Sequence, residues 1–314
     1  MPPHPDPKAS QFVSTLHHDT YPLVANSCHQ NHAIFISGAS KGIGRETALS
    51  FARSGASTII IAARSSLNAV EDKIQAISPT TKVIKLNLDI SSEDSVNAAV
   101  AEIKSQVSSI DVLFNNAGCL ETFKTFTDSD PSEWWNTWNI NIKGLYLVSR
   151  ALIPFVLASK LRTIVNVSSI AALCLSPGAS SYQTTKLAVL KLTEYMDLEY
   201  GSQGLLAYAI HPGAVATELS SNMPKKTHGI LIDNASLCAD VVSWLTQEKR
   251  DWLAGRYISV NWDMEELLAK KDEIIEDDKL KMRIQWQRHT RRYQQATQQP
   301  TEPQHEQQSL FEHN

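Results

Sequence analysis

With 314 residues, 42% of them hydrophobic and 20% charged, the chain has enough apolar material for a sizeable core and too little charge bias for a disordered or fibrous protein. A formal net charge of −4 with scattered basic residues gives no footprint for a nucleic-acid partner, and Cys28, Cys119, Cys174 and Cys238 lack the spacing of a zinc site or a disulfide framework. The opening "MPPHPDPKAS" has no apolar signal stretch, and "LYLVSRALIPFVLAS" is short and interrupted by Arg150 and Pro154, so a soluble, cytoplasmic protein without a membrane partner is expected.

Residues 1–31 read as an extended arm. Short β-branched runs then alternate with helical periodicity, and "AIFIS", "STIIIAA", "KVIKLNL", "IDVLFN", "RTIVNVS", "LLAYAI" and "RYISV" predict seven strands. Between them Leu67, Val70, Ile74 and Ile77 recur at helical spacing, as do Val96, Val100, Ile103 and Val107, and later Leu237, Val241 and Trp244. Runs that are apolar throughout, such as "TIIIAA", imply strands covered on both faces, and strict alternation of strand and helix implies parallel pairing. The expected fold is α/β, a single-domain doubly wound sheet of about seven parallel strands with helices on both faces. No composition break interrupts residues 32–263; "WDMEELLAKKDEIIEDDKLKMRI" predicts one appended charged helix over 264–287, and Gln-rich residues 288–314 predict a disordered tail.

In doubly wound sheets ligands bind beyond the carboxyl ends of the strands. After "AIFIS" comes "GASKGIG", whose Gly38, Gly42 and Gly44 lead into a helix. Such a turn lets backbone approach a pyrophosphate at the positive helix end, although it also serves as a plain glycine-loosened strand-to-helix turn. "NAG" follows "IDVLFN", Ser169 follows "RTIVNVS", and "HPGAVAT" follows "LLAYAI". In "SSYQTTK", Tyr182 and Lys186 stand at i and i+4, so phenol and ammonium share one helix face, directed either at a common site or at solvent.

As an ordered set these residues resemble the short-chain dehydrogenase/reductase family over residues 32–263: Gly38-x3-Gly42-x-Gly44, "NNAG" at 115–118, Asn141 in "NIKG", Ser169, Tyr182-x3-Lys186, and "PG" at 212 and 213. Ser37 stands where Thr is commoner, and "YQTTK" replaces "YxASK"; neither change alters a reacting group. The resemblance implies a Rossmann-type fold, a nicotinamide cofactor, no metal, and a catalytic set of Asn141, Ser169, Tyr182 and Lys186. Tyr182 is expected to protonate the oxygen of a carbonyl receiving hydride, and Ser169 to orient that oxygen. Lys186 is expected to draw the phenol below its ordinary pKa of ~10 and to hold the ribose, while Asn141 positions a relaying water. Cofactor contacts are implied at Gly38, Ser40, Lys41, Gly42, Ile43, Gly44, Arg64, Asp89, Ile90, Asn116, Ala117, Gly118, Tyr182, Lys186, Pro212, Gly213, Val215 and Thr217. Asn115 is expected to stabilise the central strands and abut the adenosine side, Asp89 reads equally as a turn residue, and His211 reads as structural.

The second strand ends "IIIAARSS", with Ala63 where an NAD site usually carries an acid and Arg64 following; with Lys41 in the glycine loop, two cations are available for a 2′-phosphate. NADP(H) is expected over NAD(H); the alternative is that both cations are solvated surface charges. "SSNMPKKTHGILIDN" mixes apolar and basic residues and reads as a lid over a mid-sized apolar or aromatic carbonyl compound. The arm and the C-terminal segment are similar to a fungal subset of the family found in secondary metabolism, which implies a polyketide- or terpenoid-type ketone. Trp134, Trp135 and Trp138 open a helix that, with the helix of Tyr182, usually pairs across a two-fold axis in this family, so a homodimer or homotetramer is expected. Rival functions are alcohol oxidation, reduction coupled to dehydration or rearrangement, and a non-catalytic dinucleotide-binding regulator.

Overall fold

A computed structural model describes residues 11–284; the tail expected over 288–314 and the first ten residues of the arm lie outside the described residues. Each β-branched run forms a strand: β1 Ala33–Ser37, β2 Thr58–Ala63, β3 Lys82–Asn87, β4 Val112–Asn115, β5 Thr163–Val167, β6 Leu206–His211 and β7 Tyr257–Ser259. All pairings are parallel, in the order β3-β2-β1-β4-β5-β6-β7. The order reverses between β1 and β4, which opens a crevice at their carboxyl ends.

The main helices are α1 Gly42–Arg53, α2 Asn68–Ile77, α3 Glu93–Gln106, α4 Pro131–Leu157, α5 Ser180–Tyr200 and α6 Ala235–Thr246. Because side chains alternate across a strand, Ile34 and Ile36 of β1 join one core layer with α1, α2 and α6, while Phe35 joins the opposite layer with α3, α4 and α5. By length and composition α4 would cross a bilayer, yet Leu147, Val148, Leu152, Ile153 and Val156 pack into the second layer. Its backbone passes through a π-helical turn at Asn139–Gly144, an irregularity often found at functional sites.

The single helix expected over 264–287 is corrected to two short ones, α7 Met264–Ala269 and α8 Lys271–Glu276, with no further helix through residue 284. The Lys270 N–H bonds back three residues to Leu267, closing α7 in a tight turn, and the break lets Met264, Leu267 and Ile274 all enter the core. The arm docks beside them: Val13 and Val24 are buried, the His17 imidazole pairs with Asp263 at 2.9 Å and stacks on Tyr21, and Ser14 bonds Glu266.

Candidate active site

The turn after β1 is shaped by two glycine requirements. Gly38 has φ +67°, a left-handed conformation costly for other residues, and a Cβ on Gly44 would sit 2.4 Å from the Gly38 carbonyl oxygen. The end of β4 closes against this turn: Asn116 Nδ2 donates to the carbonyls of Ser37 (2.9 Å) and Gly38 (3.2 Å), and the Ser37 hydroxyl accepts from the backbone of Asn116 and Ala117. The result is a backbone cradle at the N-terminus of α1, with room that any side chain at Gly44 would fill. These residues fit the diphosphate of a dinucleotide, whose charge is favoured at a helix N-terminus.

Three of the side chains expected to react converge from β5 and α5. Ser169 follows β5 and opens a 3-10 turn at Ile170–Leu173, its hydroxyl accepting from the Ala171 N–H at 3.1 Å. Tyr182 lies in the first turn of α5, with its phenol beside Ser169. Lys186 comes one turn later, its Nζ 5.5 Å from the centre of the Tyr182 ring and donating to the Val167 carbonyl at 2.7 Å. Ser168 fastens the same turn by donating to the Lys186 carbonyl.

Burial governs the protonation of this pair. It pushes the Tyr182 phenol up to about 12, against the lowering bond from Ser169 and aided by the negative charge of Glu121. The expectation that Lys186 draws the phenol towards neutrality is not met here: desolvation dominates at Tyr182, and burial also pushes the Lys186 ammonium down to about 8. At neutral pH Tyr182 therefore holds its proton, as a general acid must.

A cavity of about 970 Å³ lies over these groups. Of the expected residues, Ser169, Tyr182, Lys186, Ile43, Asn116, Gly118, Pro212, Gly213, Val215 and Thr217 line it. Its far wall is apolar, with Leu120, Phe123, Ile170, Met223 and Leu231, and Lys124 and Lys226 stand exposed at its edge. The lid segment folds into 3-10 turns at Leu219–Asn222 and Lys225–Ile230, and Asn222 bonds the Leu120 carbonyl across the opening at 2.7 Å. His211, read as structural, lines this cavity too; burial pushes it down to about 4, so it is neutral at physiological pH.

Other expected residues lie beside or beneath the cavity. Gly38, Ser40, Lys41, Gly42, Gly44 and Ala117 form or abut the glycine turn, where Gly42 faces Thr217. Asn141 is buried in the π-helical turn; both its amide hydrogens are engaged, by the Cys119 carbonyl and Thr185 Oγ1, so its side chain braces the β4–α4 loop and offers no donor to a water. Asn115 bridges Ser149 and Asn166 within the core, so it stabilises the central strands as expected but does not line the cavity, which Asn116 does. Asp89 accepts from the backbone and hydroxyl of Ser91, the turn-residue role, and this holds its carboxyl below the usual range. Ile90 packs under Gly144 in the core. Arg64 is exposed at the end of β2 with no ion pair among the described residues, whereas Lys41 is paired with Glu218 across the groove. The expected pair of free cations is thus reduced to one.

Sequence reasoning missed Glu121. This carboxylate, buried to 5% exposure, accepts from the N–H groups of Ser181 (2.9 Å) and Tyr182 (3.0 Å) at the start of α5. Its partners lie 60 and 61 residues away, so no local pattern announces it.

A glycine cradle at the switch point of a parallel sheet, facing a hydroxyl, a phenol and an ammonium, marks the class of dinucleotide-binding oxidoreductases. The chain belongs to the short-chain dehydrogenase/reductase family: the family model described as short chain dehydrogenase matches residues 32–228. It is 49% identical to the short chain dehydrogenase mpl6 of Monascus purpureus over 280 residues, covering 87% of this chain and 96% of that one. It is 42% identical to the short chain dehydrogenase pigC of Monascus ruber over 282 residues, covering 87% and 93% of the two chains. A carveol dehydrogenase from Mycobacterium avium, solved in complex with NAD, shares the fold at 20% identity, with a TM-score of 0.68 over 75% of this chain and 98% of that one.

Proposed function

We propose that the protein is an NADP(H)-dependent ketoreductase that converts a mid-sized, largely apolar ketone to a secondary alcohol. The observation that carries this reading is the convergence of Ser169, Tyr182 and Lys186 on one apolar cavity beside a glycine cradle. A bound nicotinamide supplies the hydride to the carbonyl carbon. Tyr182, kept protonated by burial, gives its proton to the carbonyl oxygen, and the Ser169 hydroxyl holds that oxygen in line. Lys186, cationic at neutral pH and fixed by the Val167 carbonyl, stabilises the phenolate left behind and would hold the ribose of a bound cofactor. The residues that would hold the cofactor are the glycine turn with Asn116 and Gly118 on the diphosphate and adenosine side, and Pro212, Gly213, Val215 and Thr217 on the nicotinamide side.

The preference for NADP(H) is supported by Ala63, buried where an acid would accept from a ribose 2′-hydroxyl, and by the unpaired, exposed Arg64 next to it. The apolar walls with Lys124 and Lys226 at the edge suit an aromatic or polyketide-like body bearing an anionic or polar end. The fungal relatives support a place in secondary metabolism, and a cytoplasmic setting is part of the same reading. A homodimer or homotetramer is part of the same reading: Trp135 and Tyr146 on α4 and Leu187, Tyr195 and Leu198 on α5 leave an apolar stripe in solvent. The test is turnover of a panel of ketones and quinones with NADPH and with NADH, using cofactor deuterated at the transferred position. A large NADPH preference with deuterium on the carbinol carbon is expected; a clear NADH preference overturns the cofactor assignment, and label elsewhere overturns simple reduction.

A further inference from the structure

We propose that Glu121 is a positioning residue of this site: its carboxylate fixes the backbone of Tyr182 and, as a buried negative charge, keeps the phenol protonated until the carbonyl oxygen takes the proton. The inference rests on Tyr182 being the proton donor. Helix α5 starts without help from its own N-cap, Ala179, whose side chain cannot accept a hydrogen bond, so its first N–H groups need partners from elsewhere. Glu121 supplies them: Oε1 accepts from Ser181 and Tyr182, and Oε2 also accepts from Tyr182 at 3.0 Å. The carboxylate is nine-tenths buried and forms no ion pair among the described residues, so the helix N-terminus is the positive partner that compensates it.

Capping alone asks only for acceptor oxygens, and a charge at this point does something more. The groups acting on the phenol are Ser169 from the end of β5, Cys119 and Glu121 from the β4–α4 loop, and Lys186 from α5 itself. Desolvation opposes the phenolate most, Ser169 favours it, and Glu121 and Cys119 add to the opposition. The same loop forms the cavity wall at Leu120, Phe123 and Lys124, and the Lys124 N–H bonds the Gly178 carbonyl just before α5. Glu121 thus ties the substrate-facing wall to the helix that carries the donor.

The experiment uses the full chain, with 1-phenylpropane-1,2-dione as probe ketone and NADPH as cofactor. For Glu121→Gln, ionisation of the Tyr182 phenol, read as the alkaline ultraviolet difference absorbance that Tyr182→Phe lacks, is expected to move down by roughly one pH unit, because one like charge near the phenol is gone. NADPH affinity, read by fluorescence, should stay within about twofold of wild type, since the cradle lies elsewhere. An unmoved ionisation in a variant that still binds NADPH overturns the proposal, because a purely structural cap would leave the phenol as it is. If Glu121→Gln does not fold, Glu121→Asp decides: it keeps the charge and shortens the reach, so the ionisation should hold while kcat falls about tenfold. A shifted ionisation or undiminished kcat there overturns the proposal. Tyr182→Phe is the separate control, whose undiminished turnover would sink the reading of the donor whatever Glu121 does.

Discussion

Replacing Gly44 by Ala tests the cradle directly. In a helix interior Ala is favoured over Gly by about 1 kcal/mol, so on propensity alone the change stabilises α1. The geometry reverses the sign: the new Cβ would lie 2.4 Å from the Gly38 oxygen, 2.6 Å from Asn116 Nδ2 and 2.9 Å from the Gly38 carbonyl carbon. Two of these are backbone atoms, and the amide is fixed by its bonds to the Ser37 and Gly38 carbonyls. Relief requires α1 to move off the turn, an overpacking cost of about 1–3 kcal/mol that exceeds the propensity gain. We expect a melting temperature lower by a few degrees and an NADPH dissociation constant raised at least ~10-fold, equivalent to about 1.4 kcal/mol. Thermal denaturation and a fluorescence titration measure both. Gly229→Ala, whose Cβ would meet nothing within 4 Å, is the matched control and should change stability by less than about 0.5 kcal/mol. A Gly44→Ala protein with wild-type melting and wild-type NADPH affinity would refute the reasoning.

Acid stability offers an independent check on the fold. His29 is fully buried and desolvation pushes it down to about 4, so between that value and ~6.5 the unfolded chain binds the extra proton. Stability is therefore full above pH ~6.5 and falls as pH drops towards 4, by roughly 3 kcal/mol from this group. His29→Gln should flatten the melting-temperature profile in that window, and an equally steep profile would contradict the assignment. On the surface, Leu198→Glu puts a charge into the exposed stripe of α5; on the proposal that this stripe is a subunit seam, wild type should sediment as a dimer or tetramer and the variant as a monomer, and equal sedimentation of the two would overturn it.

All seven strands were legible as short apolar runs, several of them rich in β-branched residues, set between segments of helical period. Parallel order followed from their alternation. The convergence of Ser169, Tyr182 and Lys186 on the cavity was legible because they stand at a strand end or share one helix face, positions that local sequence fixes. What was missed depends on contacts between distant segments. Glu121 meets α5 only after the sheet has folded, and the pairing of Lys41 with Glu218 joins loops 177 residues apart. The direction of the Tyr182 pKa was misread because the sequence shows the neighbouring Lys186 but not the burial that raises the phenol. The C-terminal segment has the composition of one helix, and only docking of Leu267 and Ile274 into the core shows why it breaks at Lys270.

The central claim, that the Tyr182 phenol donates the proton that completes carbonyl reduction, is tested most directly by Tyr182→Phe. The variant removes one oxygen from a half-buried ring and leaves Ser169, Lys186 and the glycine cradle in place. Single-turnover NADPH oxidation with the probe diketone should slow at least ~10²-fold while NADPH binds as in wild type. Oxidation at the wild-type rate would contradict the account.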